Sequence, residues 1–501
     1  MIRHYHVKVF KSIFLIVCFF VMFSVVVTLE ALAAEYYIDP VNGKDSDTGL
    51  SQTLAWATFS YAMEQLTAGD TLYLMDGTFT ESLKVTISGI PGNPITFKAL
   101  NDGQATVDGR NSRIPFSMRG ASTSNHLKYV DVEGIVFRNS SNNVIDTKYI
   151  DHVTFRRVSG YDADANLNVV VFSFWASDNI LVEDCAAGGT GRKMFSFFNC
   201  TFVTSRRCFG LWKSTNLTET EGINPYGASD CLQENCIHMD DPAGDKNVKN
   251  GILIVDNGGV GGSRNRVYGC ISRDANANYM ISSQKSILMT GNEFKNNVSL
   301  NADNFGIQQR AGNNCKMMNF TIVNAAKNAV KVNAQLFGDS GILYGDMRNS
   351  SLISSGGTGI NVVNSIEVKG FVHSYNNLYG MTNNYSGTSA GTGEISVNPN
   401  YDTETYGDGA YLMVPIPLKG RGENGADIGA EVLYQYIDGT LYRDDQHRLW
   451  PWPMEDRIFA ETGISVTWKA KGGLWKTLTG VYGNPTHIAA PKGFKMLNTN
   501  S

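Results

Sequence analysis

A repeat with a drifting period runs through the middle of the chain. The pattern apolar-x-apolar-x-x-apolar occurs eight times, and its final positions are separated by 23, 27, 23, 28, 34, 24 and 28 residues. A period of this size fits one coil of a β-solenoid, because a coil buries its apolar face only by stacking on its neighbours. The final positions of the eight repeats are Ile135, Val158, Cys185, Cys208, Cys236, Cys270, Phe294 and Ile322.

Short segments with strand character follow several of these repeats. Apolar and polar residues alternate over 250–254, 278–282, 304–308 and 328–332, and an Asn begins each segment. Alternation with period two is typical of β-strands, and the Asn and Gly residues between segments favour turns. We therefore expect an all-β chain folded as a right-handed parallel β-helix, a solenoid of roughly ten or more coils.

Composition and charge exclude several classes of protein. The chain has 501 residues, with 42 Lys and Arg against 47 Asp and Glu, and a formal net charge of −5. Its hydrophobic fraction of 42% is too high for a disordered chain, and the acidic balance argues against a nucleic-acid partner. The many Asn and Gly residues of the central region indicate frequent turns.

The first 33 residues have the pattern of a secretory signal peptide. Arg3, Lys8 and Lys11 precede an apolar run over 13–29, and residues 31–33 form the small-x-small motif Ala-Leu-Ala. We therefore expect a secreted, cell-surface or periplasmic protein without a membrane span after cleavage. An uncleaved anchor is the alternative, because the apolar run is about long enough to cross a bilayer.

The Cys residues do not suggest a disulfide framework. Seven of the eight follow the signal segment, and an odd number cannot pair completely within the chain. The repeat places Cys185, Cys208, Cys236 and Cys270 at one interior position of four consecutive coils. We interpret them as a stack of small buried hydrophobic side chains rather than as metal ligands or nucleophiles.

The N-terminal region carries motifs of a known kind. Tyr-Tyr-Ile-Asp-Pro occupies 36–40, and Ala-Gly-Asp-Thr-Leu-Tyr-Leu occupies 68–74. These segments resemble the opening of exported right-handed parallel β-helix proteins, a group that includes polysaccharide lyases of the pectate, alginate and chondroitin type. The resemblance implies a β-helix over 34–400 and an acidic polysaccharide as the partner. Helical spacing over 58–66 predicts a short helix that caps the N-terminal end.

Composition changes after residue 400, and we assign 401–501 to a C-terminal subdomain. Residues 425–430 resemble the closing segment of exported β-helix proteins. A cap packed on the last coil and an aromatic platform for sugars are the two roles left open for this region. Four of the seven Trp residues of the chain occur here, namely Trp450, Trp452, Trp468 and Trp475.

Lyase chemistry requires a base and a cation. The proton beside a uronate carboxylate is abstracted, and the carboxylate has to be neutralised. Strand alternation places Lys331 and Arg310 on the outer face of neighbouring coils, and residues 328–332 resemble the strand that carries the Lys base in one pectate lyase family. The resemblance implies Lys331 as the base. We hypothesise that Arg310 steadies the carboxylate and that Gln308 and Gln284 contact the substrate. A solvated Lys without a catalytic role is the alternative.

Carboxylates cluster at Asp240, Asp241 and Asp245, and Asp274 has the offset from Cys270 that Asp240 has from Cys236. Ca²⁺ prefers oxygen ligands of this kind, so we take these four residues as candidate Ca²⁺ ligands. They precede Lys331 by about three coils, or ~14 Å at the spacing of stacked strands. An ordinary acidic turn is the alternative.

Two further functions compete with a lyase. A non-catalytic surface or adhesive protein would bind glycan, or space other modules, through the same outer face. A glycoside hydrolase requires paired carboxylates, which Asp240 and Asp241 would supply, but the sequence lacks the Gly-His-Gly element of galacturonan hydrolases on this fold. Hydrolysis is therefore the weaker enzymatic hypothesis, and the oligomeric state is left open.

Overall fold

The computed structural model describes residues 33–217, 220–240, 248–284, 289–333, 343–354, 356–363, 368–450 and 452–462. The predicted signal peptide lies outside the described residues except for residue 33. Within the described residues, three parallel sheets contain 13, 12 and 12 strands. Successive coils contribute one strand to sheet 1, then one to sheet 2 and one to sheet 3, so the predicted parallel β-helix is confirmed.

Sheet 1 begins each coil, and its outer face carries side chains of alternating charge. Arg156 donates to Glu183 at 2.9 Å and Arg206 donates to Glu234 at 2.9 Å, so successive strands neutralise each other. The strands of sheet 1 are Glu35–Ile38, Thr71–Leu74, Ile95–Ala99, Leu127–Glu133, Ile150–Arg156, Asp178–Glu183, Thr201–Arg206, Leu232–Glu234, Arg266–Tyr268, Glu293–Lys295, Cys315–Met318, Leu343–Arg348 and Val368–Ser374.

Sheet 2 has the shorter strands, and its outer face is apolar. Phe209, Ile237 and Ile271 are at most 1% exposed although they point away from the solenoid interior. The strands of sheet 2 are Gly77–Phe79, Ala105–Asp108, Val136–Arg138, Ser159–Tyr161, Ala186–Thr190, Phe209–Ser214, Ile237–Asp240, Ile271–Arg273, Val298–Leu300, Thr321–Val323, Ser351–Ile353 and Asn377–Tyr379.

Sheet 3 contains the four strands predicted from alternation. The predicted segment 328–332 matches its strand in full, and the other three differ by one or two residues at their ends. The strands of sheet 3 are Leu83–Val85, Phe116–Arg119, Ile145–Lys148, Val170–Trp175, Lys193–Phe198, Glu221–Tyr226, Asn250–Val255, Ala277–Ser282, Phe305–Gln309, Asn328–Val332, Thr358–Val362 and Asn383–Ser386.

A left-handed residue forms the corner between sheets 1 and 2 in ten successive coils. The φ angles at these corners lie between 50° and 74°. Asn, Asp and Gly adopt this conformation at the least steric cost, and they occupy seven of the ten corners. The corner residues are Gly134, Arg157, Asp184, Arg207, Asn235, Gly269, Asn296, Asn319, Asn349 and Tyr375.

The four predicted Cys residues stack at the position that follows this corner. Each is fully buried with a free thiol. The backbone amide after Cys208, Cys236 and Cys270 donates to the carbonyl of the Cys on the preceding coil. The predicted register is wrong in the last two repeats. Asn297 and Phe320, and not the predicted Phe294 and Ile322, continue the stack of Cys residues on the two coils after Cys270. Phe294 instead pairs with Val267 inside sheet 1. An apolar pattern does not distinguish these two interior positions.

A helix forms at Phe59–Gln65, within the predicted helical segment. The Thr58 hydroxyl accepts from the Tyr61 amide at 3.2 Å, and the Glu81 carboxylate accepts from the Phe59 amide at 2.7 Å. A carboxylate at this end of a helix is favourable because the first amides have no intrahelical partner. The Phe59 ring lies 5.0 Å from that of Phe79, so the helix packs against the first coils.

The C-terminal segment runs back along sheet 2 over many coils instead of ending on the last one. It covers the apolar outer face described above with side chains such as Leu412, Val432 and Leu449. Its helices are Thr403–Tyr406 and Glu455–Thr462, and its antiparallel strands are Tyr436–Ile437 and Thr440–Leu441. Its 3₁₀ turns are Gly407–Leu412, Ile416–Leu418, Glu423–Gly425 and Asp445–His447. One further 3₁₀ turn, Gln52–Leu54, lies near the N-terminus.

Trp450 and Trp452 of this segment are each 2% exposed, so they hold the segment on sheet 2 and offer no surface to a sugar. The Trp450 indole donates to the Val432 carbonyl at 2.8 Å. Trp468 and Trp475 lie outside the described residues. Among the described helices, none is both long and apolar enough to cross a membrane.

Candidate functional site

The outer face of sheet 3 presents its side chains in rows that follow the solenoid axis. Neighbouring parallel strands pair residue by residue, so equivalent side chains stack at about 4.8 Å. The last outward position of each strand forms the aromatic row, which consists of Trp175, Phe198 and Tyr226 and continues through Val255 and Ser282 to Arg310. The preceding outward position forms the middle row, which includes Ser173, Ser196, Leu253, Met280, Gln308 and Lys331.

The aromatic rings of this row form a continuous stack. The centroids of Trp175 and Phe198 are 3.9 Å apart, and those of Phe198 and Tyr226 are 5.0 Å apart at 13° between the ring planes. Trp175 is still 43% exposed, which is unusual for the largest apolar side chain. The row therefore presents an apolar edge to solvent along three coils.

An ion pair lies beside the aromatic row. Lys193 Nζ is 2.8 Å from Glu221 Oε2 and 4.5 Å from the centre of the Tyr226 ring. Both side chains are nearly buried, so the pair is shielded from solvent. The Asn224 amide donates to the same Glu221 oxygen, which further fixes the carboxylate.

These rows line a groove of about 910 Å³ that reaches from Asn143 to Arg310. Its lining residues belong to six strands of sheet 3, which corresponds to ~24 Å along the axis. Among the described residues that line it, four side chains are cationic and one is anionic. The charged side chains are Arg192, Lys193, Lys249, Arg310 and Glu221.

Three of the residues predicted from sequence line this groove. Gln284, Gln308 and Arg310 belong to its surface. The Gln284 amide donates to the Tyr226 hydroxyl, and the Gln308 amide donates to Asn333 at 2.8 Å. The structure therefore brings the two predicted substrate contacts and Arg310 together in one depression.

Lys331 lies one strand beyond the groove lining, in the middle row. It pairs with Gln308 on the preceding strand. Both residues occupy outward positions, as the alternation predicted. Within the described part of the chain, neither Lys331 nor Arg310 forms an ion pair, and both side chains are partly buried. Burial lowers the pKa of the Lys331 ammonium and the pKa of the Arg310 guanidinium. A lowered pKa increases the neutral fraction that is able to accept a proton.

The predicted carboxylate ligands occupy a different part of the molecule. Asp240 ends a strand of sheet 2, and Asp274 follows the next strand of that sheet. Arg273 Nε donates to Asp274 at 2.6 Å, so this carboxylate already has a cationic partner. Asp240 and Asp274 do not line the groove of sheet 3.

The described residues do not assemble a metal site. Among them, no group of three His, Cys, Asp or Glu side chains has a spacing that would hold a metal ion. Asp241 and Asp245 lie outside the described residues. Ca²⁺ binding therefore stays a prediction.

The sequence did not predict the aromatic row or the Lys193–Glu221 pair. A signal for the aromatic row exists in the sequence, because Phe-Ser-Phe-Trp at 172–175 recurs as Phe-Ser-Phe-Phe at 195–198. The two runs are 23 residues apart, which is one coil. In each run the first and third residues, both Phe, point inward, and the last residue faces solvent.

Comparisons with known proteins support the fold. No family model matches the chain. A stretch of 73 residues is 34% identical to the uncharacterised protein YwoF of Bacillus subtilis, and the match spans 15% of each chain. The structure of XylC with xylose is similar at a TM-score of 0.54 and 9% identity, over 73% of this chain and 87% of that one. This likeness shows the fold alone.

Two other solved structures are similar at lower scores. Pectate lyase Pel9A has a TM-score of 0.43 and 15% identity over 67% of this chain and 79% of its own. The A-module of the Azotobacter vinelandii mannuronan C-5 epimerase AlgE4 has a TM-score of 0.44 and 13% identity over 66% of this chain and 89% of its own. The molecule is a parallel β-helix with a sheet-lined groove, the class that its own strand order defines.

Proposed function

We propose that the protein binds an acidic polysaccharide in the groove of sheet 3 and cleaves it by β-elimination. The observation that carries this proposal is a contrast in charge. The whole chain has a formal net charge of −5, yet the described groove lining has four cations and one carboxylate. A cationic groove on an acidic protein attracts an anionic chain and holds it along the axis.

Arg310 and Lys331 supply the two groups that elimination needs. They stand on adjacent strands, two residues apart along the strand direction, so their Cα atoms are about 8 Å apart. In our proposal the Arg310 guanidinium binds the uronate carboxylate, which stabilises the charge that develops as the neighbouring proton leaves. The neutral Lys331 amine accepts that proton, a carbon–carbon double bond forms, and the bond to the leaving sugar oxygen breaks.

The Lys193–Glu221 pair is assigned a binding role in this proposal. The carboxylate is already satisfied by Lys193 and Asn224, so it does not repel an anionic substrate. The groove itself extends from Arg310 toward Trp175, which gives room for several sugars on one side of the reacting bond. We further propose that the chain is exported, on the basis of its N-terminal signal pattern.

The test is an ultraviolet assay for the unsaturated uronate that only elimination produces. Purified protein without residues 1–33 is incubated with pectate, alginate and glycosaminoglycan chains, with and without Ca²⁺. A rise in absorbance with one of these chains, lost in Lys331→Ala and retained in Lys327→Ala, is the expected result. Lys327 is an exposed lysine immediately before the same strand, so it serves as the matched control.

A flat trace with every chain, from protein that is folded by circular dichroism, would reject the elimination proposal. Binding of an acidic chain without elimination would then favour the non-catalytic glycan-binding function. Release of reducing ends without a double bond would favour hydrolysis.

A further inference from the structure

A hydroxyl, an imidazole and a carboxylate are hydrogen-bonded in series at the C-terminal end of the solenoid. Thr388 Oγ1 lies 2.9 Å from His373 Nε2, and His373 Nδ1 lies 2.9 Å from Glu394 Oε1. The Ser389 carbonyl is a more distant acceptor for the same hydroxyl, at 3.5 Å. His373 belongs to the last strand of sheet 1, and the other two residues follow the last strand of sheet 3. The series therefore lies outside the groove, and none of its three residues lines the groove.

The hydrogen bonds of Glu394 determine which nitrogen of His373 carries the proton. The Glu394 carboxylate also accepts from the Tyr385 hydroxyl at 2.6 Å and from the Asn376 amide at 2.8 Å. Burial alone would raise the pKa of Glu394, but its hydrogen bonds outweigh burial and lower the pKa, so the carboxylate is ionised at neutral pH. An ionised carboxylate accepts the proton on Nδ1 of His373. The neutral imidazole then has its lone pair on Nε2, where it accepts from the Thr388 hydroxyl.

The residue with the hydroxyl is accessible, whereas the imidazole is shielded. Thr388 is partly exposed, and His373 is 5% exposed. Residues 387–393 are Gly-Thr-Ser-Ala-Gly-Thr-Gly, so no large side chain of this segment covers Thr388. Gly391 allows the segment to approach the strand of sheet 1, because a Cβ atom at this position would lie 1.8 Å from the His373 carbonyl oxygen. A reactant is therefore able to reach the hydroxyl from solvent, while burial keeps bulk water from the imidazole.

Backbone amides beside Thr388 are able to stabilise a negative charge. Among the described residues, no acceptor binds the amides of Ser389 and Ala390. In α/β-hydrolases the amide that follows the nucleophile contributes to the oxyanion hole. The segment therefore supplies a hydroxyl and, directly after it, amides of the kind that stabilise a tetrahedral oxyanion.

We propose that Thr388, His373 and Glu394 form a second catalytic site, which hydrolyses carboxylic esters. Thr388 Oγ1 attacks the ester carbonyl carbon, and its proton passes to His373 Nε2. The tetrahedral intermediate expels the alcohol, which takes this proton, and the acyl group stays on Thr388. Water then attacks the acyl-threonine and gives a proton to His373. The bond from the acyl carbon to Oγ1 breaks, Oγ1 recovers the proton, and the carboxylic acid leaves. Glu394 is a positioning residue, because it holds the imidazole through Nδ1.

The test is hydrolysis of p-nitrophenyl acetate by the purified protein, followed by the release of p-nitrophenol. Thr388→Val keeps the shape of the side chain and removes the hydroxyl, so we expect the rate to fall by at least about 10²-fold. Thr388→Ser should retain hydrolysis. Thr392→Val is the control, because Thr392 is an exposed threonine of the same segment. Equal rates in the unmodified protein and in folded Thr388→Val protein would overturn the inference, and so would the absence of hydrolysis by the unmodified, folded protein.

Covalent labelling locates the nucleophile without a variant. A fluorophosphonate probe reacts with an activated hydroxyl and forms a stable ester, which mass spectrometry assigns to a residue. We expect the label on Thr388 of the folded protein and its loss when the protein is unfolded in urea before the probe is added. The absence of label on Thr388 in the folded protein would overturn the assignment.

The positioning role of Glu394 is tested by separating kcat from KM. Glu394→Gln removes the charge that stabilises the protonated imidazole, so it should lower kcat for the ester at least about tenfold and leave KM nearly unchanged. The measurement uses protein that is folded by circular dichroism. An unchanged kcat in this variant would remove Glu394 from the mechanism. Ester hydrolysis does not depend on the proposed function, because Lys331→Ala should leave it unchanged.

Discussion

Lys193 Nζ lies 2.8 Å from Glu221 Oε2 on the next strand of sheet 3, and the two side chains are 7% and 8% exposed. A nearly buried ion pair is costly to break, because removing one partner leaves the other charge without compensation. The pair therefore links the chemistry of the groove to the stability of the solenoid.

Glu221→Ala is expected to destabilise the protein by about 3–5 kcal/mol, because Lys193 loses the carboxylate that compensates it. Urea unfolding followed by circular dichroism measures this change. Glu133→Ala is the control, since Glu133 pairs with Lys98 at the exposed surface and its loss should cost less than about 1 kcal/mol. Equal losses in the two variants would contradict the prediction.

Lys331→Ala is expected to reduce elimination by at least about 10²-fold while leaving the affinity for the polysaccharide nearly unchanged. Burial lowers the pKa of Lys331, and the base is active only when neutral. The rate of the unmodified protein should therefore rise with pH, with a midpoint below the usual lysine value of about 10.4. A rate that falls over this range would exclude Lys331 as the base.

Glu394 closes the C-terminal end of the solenoid and should make its stability depend on pH. Its carboxylate accepts from His373 at 2.9 Å, from Tyr385 at 2.6 Å and from Asn376 at 2.8 Å. Burial alone would raise the pKa of Glu394, but these hydrogen bonds outweigh burial and lower it.

A lowered pKa in the folded state adds stability above the unfolded value of about 4.3, and this stability is lost as the pH falls through the folded pKa. Glu394→Gln should therefore reduce the free energy of unfolding near neutral pH and flatten its decline in acid. Urea unfolding at a series of pH values measures both effects. The same acid dependence in the variant would show that other groups cause it.

Asn235 fastens the C-terminal segment to the body of the solenoid. Its amide oxygen accepts from the Tyr436 backbone at 2.6 Å, and its φ angle is 50°. Asn235→Gly keeps the left-handed corner and removes the bonds, so we expect a loss of about 1–3 kcal/mol. Asn314→Gly, at an exposed residue with a φ of 52°, is the control in the same unfolding assay.

Ca²⁺ binding is tested directly by calorimetry, independently of activity. If the acidic cluster holds the ion, the double variant Asp240→Ala with Asp241→Ala should abolish binding. Binding that persists in this variant would remove the cluster as the site. The variant Asp274→Ala then shows whether the neighbouring coil contributes a ligand.

The sequence predicted the solenoid because its repeat period, strand alternation and Asn-rich turns agree with one another. It also predicted the outward positions of Gln308, Arg310 and Lys331, since alternation along a strand assigns each side chain to a face. It did not predict the path of 401–462, because the apolar outer face of sheet 2 is assembled from strands far apart in the chain.

The residues by themselves determined that strands stack and which side chains point outward, because both follow from local periodicity and from the backbone preferences of Asn and Gly. Only the tertiary structure decided which outer face is open. The C-terminal segment covers sheet 2 and paired charges occupy sheet 1, so the groove forms on sheet 3. Burial and charge pairing between distant segments make that choice, and no local pattern encodes it.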